Sequence, residues 1–393
     1  MDKNKGYMIK KYIKRLVKSV PHSIYRTFNT IEISKDNLLA NYNYFKKQNK
    51  DFNVIPVLKA NAYGHGLDKV GKILNDTDCQ LIAVDGYFEA VKLLEVSRHR
   101  ILVMGCIDES NFKLLNYRKV SFVIQSAEQL IHLGRLNKFI NIHIELNTGM
   151  NRLGIKPEEL SDYLKALKRF PKINLEGVMT HLADADNHIN SFTKDQVILF
   201  DRLVQSIINQ GFDPRYIHIA QTAGSTKTIS KFANSIRVGI GLYGINPLTT
   251  SDKFHKELEG LKPVLELKSE IIKVINIKAG DKVSYNGTFK AEKDMAIGVL
   301  PIGYYEGVPR ELSNCGIVTS DGSNKQLPII GRICMNHTMI GLDDPELKVG
   351  DKVTIISNQK DQPNSVINIC KQHKLFSYSL LTSISSSVRR NII

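Results

Sequence analysis

The stretch "VIPVLKANAYGHG", residues 54–66, starts as an apolar run of Val54, Ile55, Val57 and Leu58. It ends on Lys59, ahead of a small-residue turn that carries Tyr63 and His65. Lysine is almost never fully buried without a partner, so an amine delivered by a hydrophobic strand needs a reason. It is either the partner of a carboxylate, the ordinary case for a lone lysine, or an amine whose desolvation lowers its pKa and makes it nucleophilic toward an aldehyde. The second reading implies a Schiff-base site for pyridoxal phosphate. Such a site also needs phosphate donors, a partner for the pyridine nitrogen and a group to stack on the ring.

Other runs end on candidates for those tasks. His181 closes "LEGVMTH", where its ring could stack on a cofactor or sit as a core histidine. In "HIAQTAGS", Thr222 and Ser225 are hydroxyl donors beside small residues that let backbone amides approach a phosphate; otherwise they are turn residues. Arg237 lies inside "IRVGIGLYG", a costly place for a permanent charge without an acceptor. Arg152, in "NTGMNRLG", follows an apolar run in the same way.

The elements that must position these residues alternate from residue 54 onward. Candidate strands at 54–59, 81–85, 101–105, 121–125, 141–146, 175–181, 216–221 and 236–240 are separated by segments such as 87–96, 126–136, 157–169 and 192–209, where apolar residues recur at three and four. Ser126 and Ser161 read as helix caps, and Pro157 suits a first helical turn. Eight strand–helix units imply parallel pairing and an α/β fold, a (β/α)8 TIM barrel with chemistry at the carboxyl ends of its strands. An open doubly wound sheet is the competing topology, but no glycine fingerprint follows the first strand. Beyond about residue 255, β-branched runs broken by Gly, Asp and Asn predict a mainly-β domain. The expected organisation is a basic extension at 1–24, a barrel at 25–253 and a C-terminal β domain at 254–393, with the alternating stretch 29–34 free to pair with the last of these.

Composition narrows the classes. Apolar content of 42% and charged content of 24% fit a globular chain, and no apolar stretch is long enough to span a bilayer. Cys79, Cys106, Cys315, Cys334 and Cys370 form no CxxC pair or ligand cluster, so reduced thiols, a cytoplasmic setting and no metal are expected. The net charge of +15 is spread along the chain apart from residues 3–20, so no nucleic-acid partner is implied.

The runs "VIPVLKANAYGHG", "IELNTGMNRLGI", "GVMTHLADAD", "HIAQTAGS", "RVGIGLYGINP", "KVSYNGTF", "LPIGYYEG" and "GRICMNHTMIGL" stand in this order. As an ordered set, from about residue 26 to residue 393, they resemble the fold type III pyridoxal-phosphate alanine racemases. The resemblance implies that Lys59 holds the cofactor covalently. Tyr63, Thr222 and the amides around Gly239 and Ile240 would bind its phosphate, His181 would pack beside the ring and Arg152 would bond the phenolic oxygen. Arg237 would face the pyridine nitrogen; because an arginine does not give up its proton, that nitrogen stays unprotonated and the ring is a weaker electron sink, which suppresses transamination. Racemisation needs a base on each face of Cα. Lys59 would serve one and Tyr285, from the partner of a homodimer, the other, with its pKa of about 10 lowered by nearby cations. Tyr304 and Met335 would line the partner's substrate entrance. The implied activity is interconversion of L- and D-alanine, supplying D-alanine for peptidoglycan.

Some positions depart from the family pattern. Glu145 stands where many members carry a carbamylated lysine, and a native carboxylate there could orient Arg152. Asn147 and Asn336 stand where aspartate is usual, and Ser387 and Arg389 replace the usual Arg and Pro. Ser386 takes the place of a tyrosine that touches the phosphate and narrows the substrate channel, so a roomier, more polar pocket is expected. That keeps open a serine or broad-specificity racemase, since a hydrophobic pocket separates small side chains by only about 1–3 kcal/mol per methylene. A noncatalytic pyridoxal-phosphate carrier would lack the C-terminal domain and the second-face tyrosine. A decarboxylase would bring a cysteine–aspartate motif to the C-terminal domain, whereas Cys334 belongs to the racemase-like "GRICMNH".

Overall fold

The run LIAV, Leu81–Val84, is buried at every residue, a pattern a strand tolerates only when both of its faces are covered. The computed structural model, which describes residues 25–187, 191–227, 230–323, 325–342 and 347–393, supplies that cover. After an initial strand β1 (Thr30–Ile33) come β2 (Asn53–Pro56), β3 (Leu81–Val84), β4 (Arg100–Val103), β5 (Val120–Ile124), β6 (Ile140–Glu145), β7 (Ile173–Met179), β8 (Tyr216–His218) and β9 (Ser235–Val238). Strands β2 to β9 form one parallel sheet in the order β2-β9-β8-β7-β6-β5-β4-β3. A bridge between Val57 and Ala83 brings the two ends of this sheet together and nearly closes the barrel. The expected basic extension, residues 1–24, lies outside the described residues.

Helices cover the outside where the apolar spacing places them. Phe192–Asn209 buries Val197, Phe200, Leu203, Val204 and Ile207 along one stripe. Ser126 caps Ala127–Arg135 by accepting from the Gln129 amide. Ser161 is not a cap: a 3-10 turn at Pro157–Glu159 runs directly into the helix Leu160–Leu167 and places Ser161 inside it. The eight strand–helix units are also incomplete. Between β4 and β5 there is only a 3-10 turn, Glu109–Leu114, where Asp108 and Asn116 draw backbone amides into local turns. Short 3-10 turns likewise follow β8 and β9.

The remaining strands build a six-stranded sheet in which β1 lies between β10 (Leu265–Glu270), antiparallel, and Arg389–Ile392, parallel. Beside it is a three-stranded sheet of Lys273–Ile277, Met295–Leu300 and Thr338–Leu342. Two short helices, Val366–His373 and Ser377–Thr382, interrupt the β-rich texture expected there.

The turn after β2 is the unusual backbone of the molecule. Ala60, Asn61, Ala62 and Tyr63 all have φ between 51° and 55°, a left-handed run that costs L-residues roughly 1–2 kcal/mol each. The cost is offset by a dense set of contacts. The Asn61 amide donates to Glu89 Oε1 at 3.2 Å, and Asn61 Oδ1 accepts from the Leu67 amide at 2.9 Å. His65 Nδ1 lies 2.9 Å from the Tyr63 carbonyl and 3.1 Å from that of Ala62; as carbonyls only accept, this nitrogen carries the ring proton. Arg390 Nε reaches across to the Gly64 carbonyl at 2.9 Å. Gly64 has φ 83°, and a Cβ there would stand 2.0 Å from the carbonyl oxygen of Leu381. Burial, helped by nearby Arg390, pushes the His65 pKa down to about 4 against the pull of the two carbonyls.

Replacing Gly64 with Ala is therefore expected to lower stability in urea unfolding by about 2 kcal/mol or more, and unchanged stability would refute the close approach to Leu381. The depressed pKa of His65 sets a pH dependence. The unfolded chain binds this proton below about pH 6.5 and the folded chain only near pH 4, so the stabilisation is complete at pH 7 and is lost as pH falls through that window. Unfolding free energy should drop between pH 7 and pH 5 by on the order of 2 kcal/mol from His65 alone; a flat profile over that range would contradict it.

Candidate active site

Strand ends dictate which side chains meet at the barrel mouth, because in parallel β/α folds the loops at the carboxyl ends form one face. A cavity of about 540 Å³ opens there, lined among others by Lys59, Tyr63, Glu145, Arg152, His181, Thr222, Arg237, Gly239 and Ile240. Eight residues proposed from the sequence are thus brought together: Lys59, Tyr63, Arg152, His181, Thr222, Arg237, Gly239 and Ile240. Lys59 makes no ion pair or side-chain hydrogen bond among the described residues, so the salt-bridge explanation for its position fails.

Arg237 is the most constrained group. It is 2% exposed. Its Nη1 donates to the His218 carbonyl at 2.8 Å and approaches His218 Nδ1 at 2.9 Å. Its Nη2 donates to the carbonyls of Thr180 at 2.8 Å and Ile219 at 3.1 Å and lies 3.3 Å from His181 Nδ1. Burial pushes its pKa down to about 10, with Glu145 opposing, so it stays cationic at neutral pH. These bonds occupy both terminal nitrogens, and Nε makes none among the described residues. Burial, together with the charges of Arg237, Arg152 and Lys59, pushes His181 down to about 3, so its imidazole is neutral.

Just past the end of β9, Gly239 permits a close approach: a Cβ there would sit 2.6 Å from Tyr63 Oη. Thr222 Oγ1 accepts from the Gly241 amide at 3.2 Å, and Ile240 opens a 3-10 turn, so its amide has no partner within that turn. Burial drives the Tyr63 pKa up, so its hydroxyl remains a donor. Ser225, by contrast, bonds the Thr222 carbonyl at 2.8 Å as an ordinary turn residue. A single cleft lined by hydroxyls, loop amides, a guanidinium with an unspent N–H and an amine offers groups of the types that the phosphate, pyridine nitrogen and aldehyde carbon of pyridoxal phosphate need.

Other expected residues lie elsewhere. Tyr285, Tyr304 and Met335 are 64%, 44% and 54% exposed and do not line this cavity within the chain. Ser386 is also exposed and outside it, because Ile384 and Val388 are buried on either side and Ser385 Oγ and Ser387 Oγ pair at 2.8 Å in the outward turn. Tyr378 and Thr382, from the helix Ser377–Thr382, line the cavity instead; with that region read as β-rich, sequence reasoning missed both. Glu145 does not pair with Arg152. It ends β6 largely buried and accepts from Gln125 Nε2 at 3.2 Å, whereas Arg152 is exposed on the following loop. Asn147 holds that loop, its Oδ1 accepting from the amides of Gly149 and Asn151, and Asn336 donates to Glu306 at 2.7 Å. No group of His, Cys, Asp and Glu among the described residues has a metal-binding arrangement.

Comparison with known proteins converges on the same chemistry. The family described as "Alanine racemase, N-terminal domain" matches residues 33–247, and "Alanine racemase, C-terminal domain" matches residues 264–392. The chain is 32% identical over 370 residues to the alanine racemase of Staphylococcus saprophyticus, covering 92% of this chain and 93% of that one. It superposes on the alanine racemase of Bacillus anthracis with bound L-Ala-P at a TM-score of 0.84, 29% identity and coverage of 94% and 96%. The fold also matches, at a TM-score of 0.79 and 24% identity over 94% and 100% of the two chains, the alanine racemase of Bartonella henselae with covalently bound pyridoxal phosphate. With both halves matched in order by the two domain models and 32% identity over 92% of the chain, the chain belongs to the alanine racemase family.

Proposed function

We propose that the chain interconverts L- and D-alanine with pyridoxal phosphate held on Lys59. The observation that carries this reading is the unpaired amine of Lys59 in one cavity with a buried, donor-only Arg237. Tyr63, Thr222 and the Gly239 and Ile240 amides would hold the phosphate, His181 would flank the ring, and Arg152 would meet anionic oxygens at the mouth. The bound cofactor supplies an electron sink conjugated to the substrate Cα. The chain's own task is then to move one proton on each side of that carbon. Lys59 Nζ takes or gives it on one face.

Tyr285 of a second copy would serve the other face. Its placement supports this: it stands between Ser284 and Asn286, both at φ 62°, in the kind of strained backbone that clusters at functional sites. With Tyr285, Ile275, Ile277, Val283, Ile297 and Met339 line an open apolar cleft, a surface suited to cover by another protomer. The reading thus includes a homodimer in which Tyr304 and Met335 border the partner's entrance. A cytoplasmic setting and a role in supplying D-alanine for the cell wall follow from the same proposal. No helix among the described residues is long and apolar enough to cross a membrane.

Enantiomer-resolved turnover of L-alanine by the cofactor-loaded protein tests the proposal. Lys59→Ala should abolish both turnover and cofactor attachment. Tyr285→Phe should keep the cofactor but lose at least about 100-fold in rate, the lower end of what a positioned acid–base group contributes; full activity in either variant would refute the two-base assignment. L-serine should turn over more slowly than L-alanine, since Tyr378 and Thr382 border the cavity where Ser386 does not. Serine turnover equal to or faster than alanine turnover would favour the broader-specificity reading.

A further inference from the structure

Six successive barrel strands contribute a polar side chain to one connected row that ends at the cavity: Arg100 from β4, Ser121 from β5, His143 from β6, Glu176 from β7, His218 from β8 and Arg237 from β9. His143, His218 and Ser121 are fully buried, Arg237 is 2% exposed and Glu176 5%. His218 Nε2 lies 2.8 Å from His143 Nδ1. His143 Nε2 is 3.6 Å from Glu176 Oε2. Arg100 pairs with the Glu176 carboxylate, and Ser121 Oγ donates to it at 2.6 Å. Gly177 makes room for this chain, since a Cβ there would stand 2.3 Å from His143 Nδ1.

The direction of every hydrogen bond in the row follows from one fact. A guanidinium only donates, so His218 Nδ1, 2.9 Å from Arg237 Nη1, must accept. The proton of neutral His218 is then on Nε2 and points at His143. His143 must accept on Nδ1, which leaves its own proton on Nε2, facing the Glu176 carboxylate. The reverse direction would leave His218 with no proton on either nitrogen. Burial alone would push Glu176 up, but the nearby His143 ring and the hydrogen bonds from Arg100 and Ser121 hold it down at about 2, so it remains an acceptor.

We propose that His143 and Glu176 are positioning residues for the racemase reaction: through His218 they lock the one tautomer that lets Arg237 keep its guanidinium aimed into the cofactor cavity. The assignment rests on the proposed function for its catalytic meaning, while the tautomers belong to the cofactor-free protein too. Removing the His143 acceptor frees His218 to move its proton to Nδ1, against Arg237. Arg237 then loses its anchor, and the pyridine nitrogen loses a partner that keeps it unprotonated.

Two measurements test this. In histidine-labelled, cofactor-free protein, ¹⁵N spectra at pH 7 should show bare Nδ1 and protonated Nε2 in both His143 and His218. A proton on Nδ1 of either overturns the proposal, whatever the enzyme's activity. In the loaded enzyme, His143→Leu should slow racemisation by about tenfold or more. It should also raise several-fold the share of turnovers in which alanine leaves as pyruvate while its amino group stays on the cofactor as pyridoxamine phosphate. His143→Asn, whose Oδ1 can take the place of the accepting Nδ1, should restore both. If His143→Leu matches the unsubstituted enzyme in rate and in this partition, the positioning role is wrong. Should His143→Leu fail to fold, the spectrum of the unsubstituted protein decides. A protein with the expected tautomers but no racemisation would count against the proposed function alone.

Discussion

A guanidinium charge buried at the floor of a barrel is the constraint around which the rest is arranged. Taking such an ion out of water costs several kcal/mol even after relaxation, and no carboxylate among the described residues pairs with Arg237 directly. Its compensation is spread over the carbonyls of Thr180, His218 and Ile219 and over two imidazoles. These acceptors come from β8 and from the segments just past the ends of β7 and β8, so the barrel must hold both strands in fixed register. The histidines, in turn, must be neutral, and their burial beside this cation depresses His181 to about 3 and His218 well below its ordinary value. Burial and the nearby cation thereby act together to keep these neighbours neutral.

The second organising cost is backbone strain. Four consecutive left-handed residues after Lys59 are sustained only because Asn61, His65 and Arg390 hold their carbonyls and amides from several sides. The reward is position. The turn directs Tyr63 back against Gly239 while Lys59, one residue before the strain begins, lies three residues past the end of β2. A regular right-handed helix starting at Lys59 would place its side chains on a different path.

Much of this was legible in the sequence, for physical reasons that also explain the gaps. Parallel strands buried on both faces read as apolar runs, so their ends, and with them Lys59, His181 and Arg237, could be located without coordinates. The left-handed run could not, because Ala, Ala and Tyr carry no preference for positive φ and only Asn61 hints at it. Ser161 misled because a proline-initiated 3-10 turn moved the helix start ahead of it. Tyr378 and Thr382 come from a helix in a region whose neighbours are strands, and their approach to the cavity depends on packing between distant parts of the chain. The interior row from Arg100 to Arg237 has no comparable sequence signal, because β6, β7 and β9 also carry Asn141, Glu145, Asn174 and Ser235, and only packing shows which polar side chains meet.

The clamp of Arg390 on the Gly64 carbonyl joins residues 326 positions apart, and β1 finds its parallel neighbour only in Arg389–Ile392. Seen along the order of biosynthesis, the barrel's eight strands leave the ribosome long before the residue that pins their most strained turn. The cost of closing so long a loop rises only slowly with its length, so the delay is one of timing rather than of stability. A nascent chain can acquire its barrel early, but the turn that follows Lys59 reaches its final shape only when synthesis has passed Arg390.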